Sequence, residues 1–173
     1  MIASFFKQQL LKFFILAGLA YLIWFLTYEF YIIPNTNLDE RVISNIVFFS
    51  EKILRFFSHD TYASTEDLNM QMIGVDGAHP VWIGRPCNGV SVIAIFCVFL
   101  IVFPGKAIHK LWFIPSGIVL IHFTNILRVC ALAAISYYKP EYLQFNHTYT
   151  FTIIVYGLIF LLWMLWVNRF TTK

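Results

Sequence analysis

Charge is scarce in this chain: Asp, Glu, Lys and Arg together make up 12% of its 173 residues, about half the share found in ordinary soluble domains. With 60% hydrophobic and 19% aromatic residues and a mean hydropathy of +0.73, that shortage excludes a soluble domain and points to a polytopic membrane protein. Cysteine is scarce too. Cys97 and Cys130 fall inside apolar runs, where a free thiol behaves as a small hydrophobe, and only Cys87 stands at a run boundary, so no disulfide framework is expected. HExxH, paired Cys-x-x-Cys and zinc-finger spacings are missing, so no metal and no other cofactor is expected. The net charge of +3 reflects membrane orientation, and no nucleic-acid partner is expected.

What the chain does have is long apolar runs. Three exceed the roughly 18 residues needed to cross hydrocarbon, and spans are expected at about 10–33, 111–136 and 148–167. A fourth run, Gly89 to Phe103, is shorter. It becomes adequate if its helix begins at Pro86 or Cys87, so a span is expected over 87–103. The first run follows Lys7 and Lys12 as a signal peptide would. It continues past a typical h-region without a small-residue cleavage pattern, and is expected to be retained.

Acid is missing where base is present. The segment PGKAIHK carries Lys106 and Lys110, and the tails carry Lys7, Lys12, Arg169 and Lys173, none with an acid nearby. By the positive-inside rule these are the cytoplasmic sides. The loop 34–86 holds Asp39, Glu40, Glu51, Asp60, Glu66, Asp67 and Asp76 against Arg41, Lys52, Arg55 and Arg85, and reads as external. The expected fold is one all-α polytopic membrane domain over 1–173, with four spans, both termini inside, and a second external connection from Lys139 to Asn146. Within the large loop, Val42 to Phe57 has the spacing of an amphipathic helix lying on the outer leaflet, with a short span as the competing reading. After it, NMQMIGV-DG-AHPVWIG places a turn dipeptide between two apolar runs, the pattern of a small hairpin leading to Cys87.

Arg128 interrupts the third span. A guanidinium carried toward hydrocarbon is expensive, faces a bundle interior or a wet cavity, and marks a candidate functional site. Counting back from Ser136 at about 1.5 Å per residue puts its Cα on the order of 12 Å below the outer end. His122 and Asn125 precede it at helical spacing and are expected to form one inward polar stripe with it. Cys87, after Pro86, is expected near a helix N-terminus, where the dipole favours the nucleophilic thiolate. Gly89 removes bulk where another backbone would approach. His147 opens the fourth span at the same external boundary. Thiol, guanidinium and imidazole, each from a different helix, thus converge on one leaflet. Each also has a plain structural reading: an interfacial His, a boundary Cys, or an Arg that pairs helices. His59, His79 and His109 have weaker cases, and the aromatics Trp82, Tyr137, Tyr138, Tyr142, Tyr149, Trp163 and Trp166 sit where interfacial belts are expected.

The segment Pro86-Cys87-Asn88-Gly89-Val90-Ser91-Val92 at the head of one span resembles the exosortase/archaeosortase family. So do the Asn125-x-x-Arg128 pattern in the next span and a His at the head of the last. The resemblance runs from about Ile83 to the C-terminus and rests on the order and spacing of short motifs. Larger members have more spans before the Cys, and this chain is similar to the compact members of the Bacteroidetes type. The resemblance implies a catalytic set of Cys87 as nucleophile, Arg128 at the oxyanion or substrate carbonyl, and His147 as general acid and base, with Asn88, Gly89 and Asn125 contacting substrate.

It also implies a cysteine-dependent transpeptidase or peptidase of the cytoplasmic (inner) membrane, working on the external or periplasmic side. Its partners would be exported proteins with a C-terminal hydrophobic sorting helix and basic tail, a surface acceptor, and membrane lipid. Two other classes stay open: a non-catalytic membrane component of an export or surface-polymer assembly system, and a small-molecule acyl or phosphoryl transferase.

Overall fold

The structure is a computed structural model that describes residues 2–57, 60–64 and 70–171, with residues 2–9 and 64 as backbone only. His59, Glu66, Asp67, Asn69, Lys173 and the side chain of Lys7 lie outside the described residues. The chain is an all-α polytopic membrane protein with a small β cap. Helix α1 (Ile2–Thr27) continues through a wide π turn at Tyr28–Ile32 to Asn35; α2 (Leu38–Phe56) follows. Strands β1 (Thr61–Ser64), β2 (Gln71–Val75) and β3 (Val81–Ile83) come next, then α3 (Val90–Val102), α4 (Ala107–Tyr138) and α5 (Phe151–Phe170).

Among the described residues, three helical stretches are long and apolar enough to cross a membrane: Leu10–Asn35, Ala107–Tyr138 and Pro140–Phe170. The fourth expected span is shorter than 87–103. The helix α3 starts at Val90 and has 13 residues, about 20 Å against a hydrocarbon core of about 30 Å. Gly89 causes the late start: its φ of +81° breaks the helical path, a conformation that suits glycine. Cys87 therefore lies in the 3-10 turn Arg85–Cys87 ahead of the helix, near its N-terminus but outside it.

The helices alternate in direction. At the basic end, Phe13 of α1 meets Phe99 and Phe103 of α3 edge-on at 5.4 and 5.3 Å, and Trp163 of α5 stacks on Phe99 at 4.3 Å. Lys110 Nζ donates to the carbonyls of Ile101 and Phe103, each at 2.9 Å, capping the C-terminus of α3 with the cation that a helix dipole favours there. Gly117 lets α3 and α4 close: a Cβ there would fall 2.2 Å from the Phe96 ring. One core, built on Phe96, Leu100, Phe113, Ile121, Val155, Ile159 and Trp166, fills this half of the bundle.

A second core lies at the other end. The stripe Ile43, Ile46, Val47 and Leu54 of α2 packs with Ile73, Val81 and Ile83 of the sheet onto Ile126, Val129, Cys130, Leu132 and Ala133 of α4. The opposite face of α2 leaves Phe48, Phe49 and Phe56 exposed, in keeping with a helix at a lipid surface. The strands pair antiparallel in the order β1-β2-β3. The expected hairpin is β2–β3, turning at Gly77, and β1 is an addition.

An open sheet keeps unpaired backbone groups at its edges, which hydrocarbon does not accommodate. The part of α4 covered by this cap therefore emerges from the lipid. At 32 residues, about 48 Å, α4 is long enough to do both. Arg128 lies on the stretch of α4 whose neighbours Ile126 and Val129 pack against the cap.

Candidate active site

The site is assembled where three chain segments reach the capped end of the bundle. Cys87 is held in its turn by its own N–H, which donates to the Gly84 carbonyl at 2.9 Å. Its carbonyl accepts from Asn125 Nδ2 of α4, also at 2.9 Å. The thiol faces His147 from the helical segment ahead of α5, with Sγ 3.6 Å from Nε2. Arg128 Nη2 lies 4.0 Å from the same sulfur, in the range where a cation and a thiolate attract appreciably rather than that of a tight hydrogen bond. Among the described residues nothing accepts from the buried Nε of Arg128. All three side chains are half-buried. The structure thus brings Cys87, Arg128 and His147 together.

His147 falls within a second π turn, Asn146–Thr150. Such widened turns cluster at functional sites because an extra residue re-aims the side chains around it. The first π turn carries Tyr28, at the same end of the molecule. Neither turn has a signature in the sequence: the first, YEFYI, lies in an apolar run broken by Glu29, and the second, NHTYT, is the polar boundary ahead of the last run.

Two of the residues expected to contact substrate are buried. Asn88 is 2% exposed and Asn125 3%. The Asn88 amide is spent inside the protein, Nδ2 on Asp39 Oδ1 at 2.6 Å and Oδ1 on the Val90 N–H at 2.9 Å. Asn125 is buried against the Cys87 carbonyl. Both hold the turn that presents the thiol. Gly89 leaves room not for another backbone but for Asn125, whose Nδ2 would sit 3.3 Å from a Cβ at that position. The expected single stripe of His122, Asn125 and Arg128 also divides: His122 Nε2 turns to Asn45 Oδ1 of α2 at 2.8 Å, while the other two face Cys87.

Asp39 and Tyr28 were not singled out from the sequence. Asp39, in the first turn of α2, is 8% exposed, and its Oδ1 also accepts the Tyr28 hydroxyl. Its one visible signal was its place among the acids of the external loop, where solvated carboxylates are the rule.

No group of three or more His, Cys, Asp or Glu side chains able to hold a metal is found among the described residues. Of the other cysteines, Cys130 donates to the Ser50 carbonyl at 3.7 Å across the α2–α4 contact. His79 joins the cap through its backbone, its carbonyl accepting from Ser136 Oγ at 2.7 Å. Compared with known families, the chain matches the transmembrane exosortase family over residues 1–169. No match to a curated protein or to a solved structure was found.

Proposed function

We propose, from the premise that this chain belongs to the transmembrane exosortase family, that it is a membrane-embedded cysteine transpeptidase cutting the C-terminal sorting signals of exported proteins. The observation that carries this reading is the meeting of one thiol with an imidazole at 3.6 Å and a guanidinium at 4.0 Å, from three separate segments. A thiol nucleophile needs a base to take its proton and a cation or donor for the charge that develops during acyl transfer.

Cys87 gives its proton to His147 and attacks the scissile carbonyl, forming a C–S bond while the carbonyl electrons move to oxygen. Arg128, which stays protonated, donates to that oxyanion. The oxyanion collapses, the C–N bond breaks, and His147 returns the proton to the leaving amine, which departs with the hydrophobic helix and basic tail. The thioester on Cys87 is then attacked by a nucleophile of the surface acceptor or by water. His147 takes that proton and passes it to the sulfur as the C–S bond breaks, restoring the Cys87 thiol and neutral His147. The capped end faces the outside of the inner membrane, a side supported by Lys12, Lys106, Lys110 and Arg169 at the opposite end.

The test is Cys87→Ala in cells producing an exported protein with such a C-terminal signal, together with acid-quenched mass spectrometry of the wild-type enzyme. Uncleaved precursor in the variant and a protein fragment in thioester linkage to Cys87 are expected. Full processing by Cys87→Ala overturns the reading. A thioester to a small acyl group in place of a protein fragment would establish the small-molecule transferase instead.

A further inference from the structure

We infer that Asp39 is a positioning residue for Cys87, acting through Asn88; the inference rests on the reading of Cys87 as nucleophile. Asp39 is a carboxylate almost wholly withdrawn from water, at 8% exposure. The described salt bridges supply it no cation. Burying an ionised carboxylate without compensation costs several kcal/mol. Here it is compensated by two neutral donors, the Tyr28 hydroxyl and Asn88 Nδ2, and by its place in the first turn of α2, where a helix favours an anion.

The arrangement ties the end of α1, the start of α2 and the turn that carries Cys87 to a single oxygen. Tyr28 is itself fixed by stacking on Trp24 at 4.9 Å and 14°. The decisive part is the Asn88 amide. A carboxylate only accepts, so facing Asp39 compels Asn88 to present its NH2 there and its oxygen to the Val90 N–H. That bond fixes the step from the Cys87 turn into α3.

Cys87 is thus gripped from two sides: its carbonyl by Asn125, and its neighbour Asn88 by Asp39. The first acts on the Cys87 backbone and the second on the side chain of the next residue, and neither touches the thiol. Released on the Asp39 side, the turn lets Sγ leave the 3.6 and 4.0 Å geometry it holds with His147 and Arg128.

The test uses full-length protein in detergent, in a Cys97→Ala and Cys130→Ala background that leaves Cys87 as the reactive thiol. Iodoacetamide is the probe and the alkylation rate the readout, alongside processing in cells. Asn88→Asp sets two carboxylates against each other, and is expected to slow alkylation roughly 10-fold and processing on the order of 10- to 100-fold, the scale of a displaced reacting group. Adding Asp39→Asn exchanges donor and acceptor, and is expected to bring both rates back to within about 3-fold of the parent, a coupling of the kind double-mutant cycles read out. General loss of structure does not produce that recovery.

The inference is overturned if Asn88→Asp reacts and processes at the parent rates while Cys87→Ala is inactive. It is overturned equally if the exchanged pair recovers neither rate. Processing by Cys87→Ala, in contrast, removes the nucleophile reading itself.

Discussion

Asn125 Nδ2 donates to the Cys87 carbonyl at 2.9 Å, and this bond joins α4 to the turn bearing the Cys87 thiol. Both Asn125 and the Asn88 that follows Cys87 are buried, so water does not replace what either supplies. The Cys87 backbone is therefore held by the protein while its side chain is only half-buried, the arrangement that the proposed attack on a substrate carbonyl requires.

Replacing Asn125 with Ala leaves a carbonyl unpaired beside the thiol. Losing the donor to a buried acceptor costs about 1–3 kcal/mol. Thermal unfolding in detergent is expected to show that loss, and processing in cells to fall with it. Unchanged unfolding and processing would mean that the bond holds nothing.

Arg128→Lys keeps the charge and loses the planar fork of donors. Removing one oxyanion donor typically costs on the order of 100-fold in rate or more, and Arg128→Lys is expected to slow thioester formation by about that much. Rapid-quench measurement of the acyl-enzyme checks it, and formation at the wild-type rate would assign Arg128 to helix pairing alone.

Gly89→Ala meets two obstacles at once: a φ of +81° and the Asn125 amide 3.3 Å from the new Cβ. The backbone term alone is about 1–2 kcal/mol. The variant is expected to lose at least that much stability, and to impair processing in the same direction as Asn125→Ala. Denaturant titration of the two single variants and their combination reads out the coupling, which is expected to make the combination less than additive.

His122→Ala is the contrasting case. Its ring bonds Asn45 rather than any member of the thiol site. A stability loss of about 0.5–1.5 kcal/mol is expected, with processing within about 2-fold of wild type. A deep loss of processing at normal stability would return His122 to the site.

At the other end, Gly117→Val is expected to force α3 and α4 apart, because even a Cβ there falls 2.2 Å from the Phe96 ring. Overpacking of this kind costs typically about 1–3 kcal/mol. Reduced yield of folded protein on size-exclusion chromatography checks it, and the combination with Phe96→Ala is expected to recover part of the loss.

Hydropathy and charge asymmetry are properties of single segments, and the sequence by itself determined what depends on them. The long apolar helices, the amphipathic character of α2, the β2–β3 turn and the basic end opposite the acidic loop all belong here. Alternation of direction then followed from connectivity, and with it the arrival of Cys87, Arg128 and His147 at one end. What the tertiary structure alone decided depends on partners distant in sequence. The late start of α3 arises from the Gly89 conformation and the Asn125 amide packed against it. The two π turns, YEFYI and NHTYT, carry no residue pattern that distinguishes them from an ordinary helical turn or boundary.

Asp39 looked like any loop carboxylate, because burial of a charge is defined by what surrounds it: here Tyr28 from α1 and Asn88 from the Cys87 turn. Asn88 and Asn125 lie close to reactive residues in sequence, and proximity suggested substrate contacts. Only packing shows that their amides are consumed within the protein, Asn125 on the Cys87 carbonyl and Asn88 on Asp39 and the Val90 N–H, since an amide is equally able to bind a ligand or its own protein, and burial decides between the two.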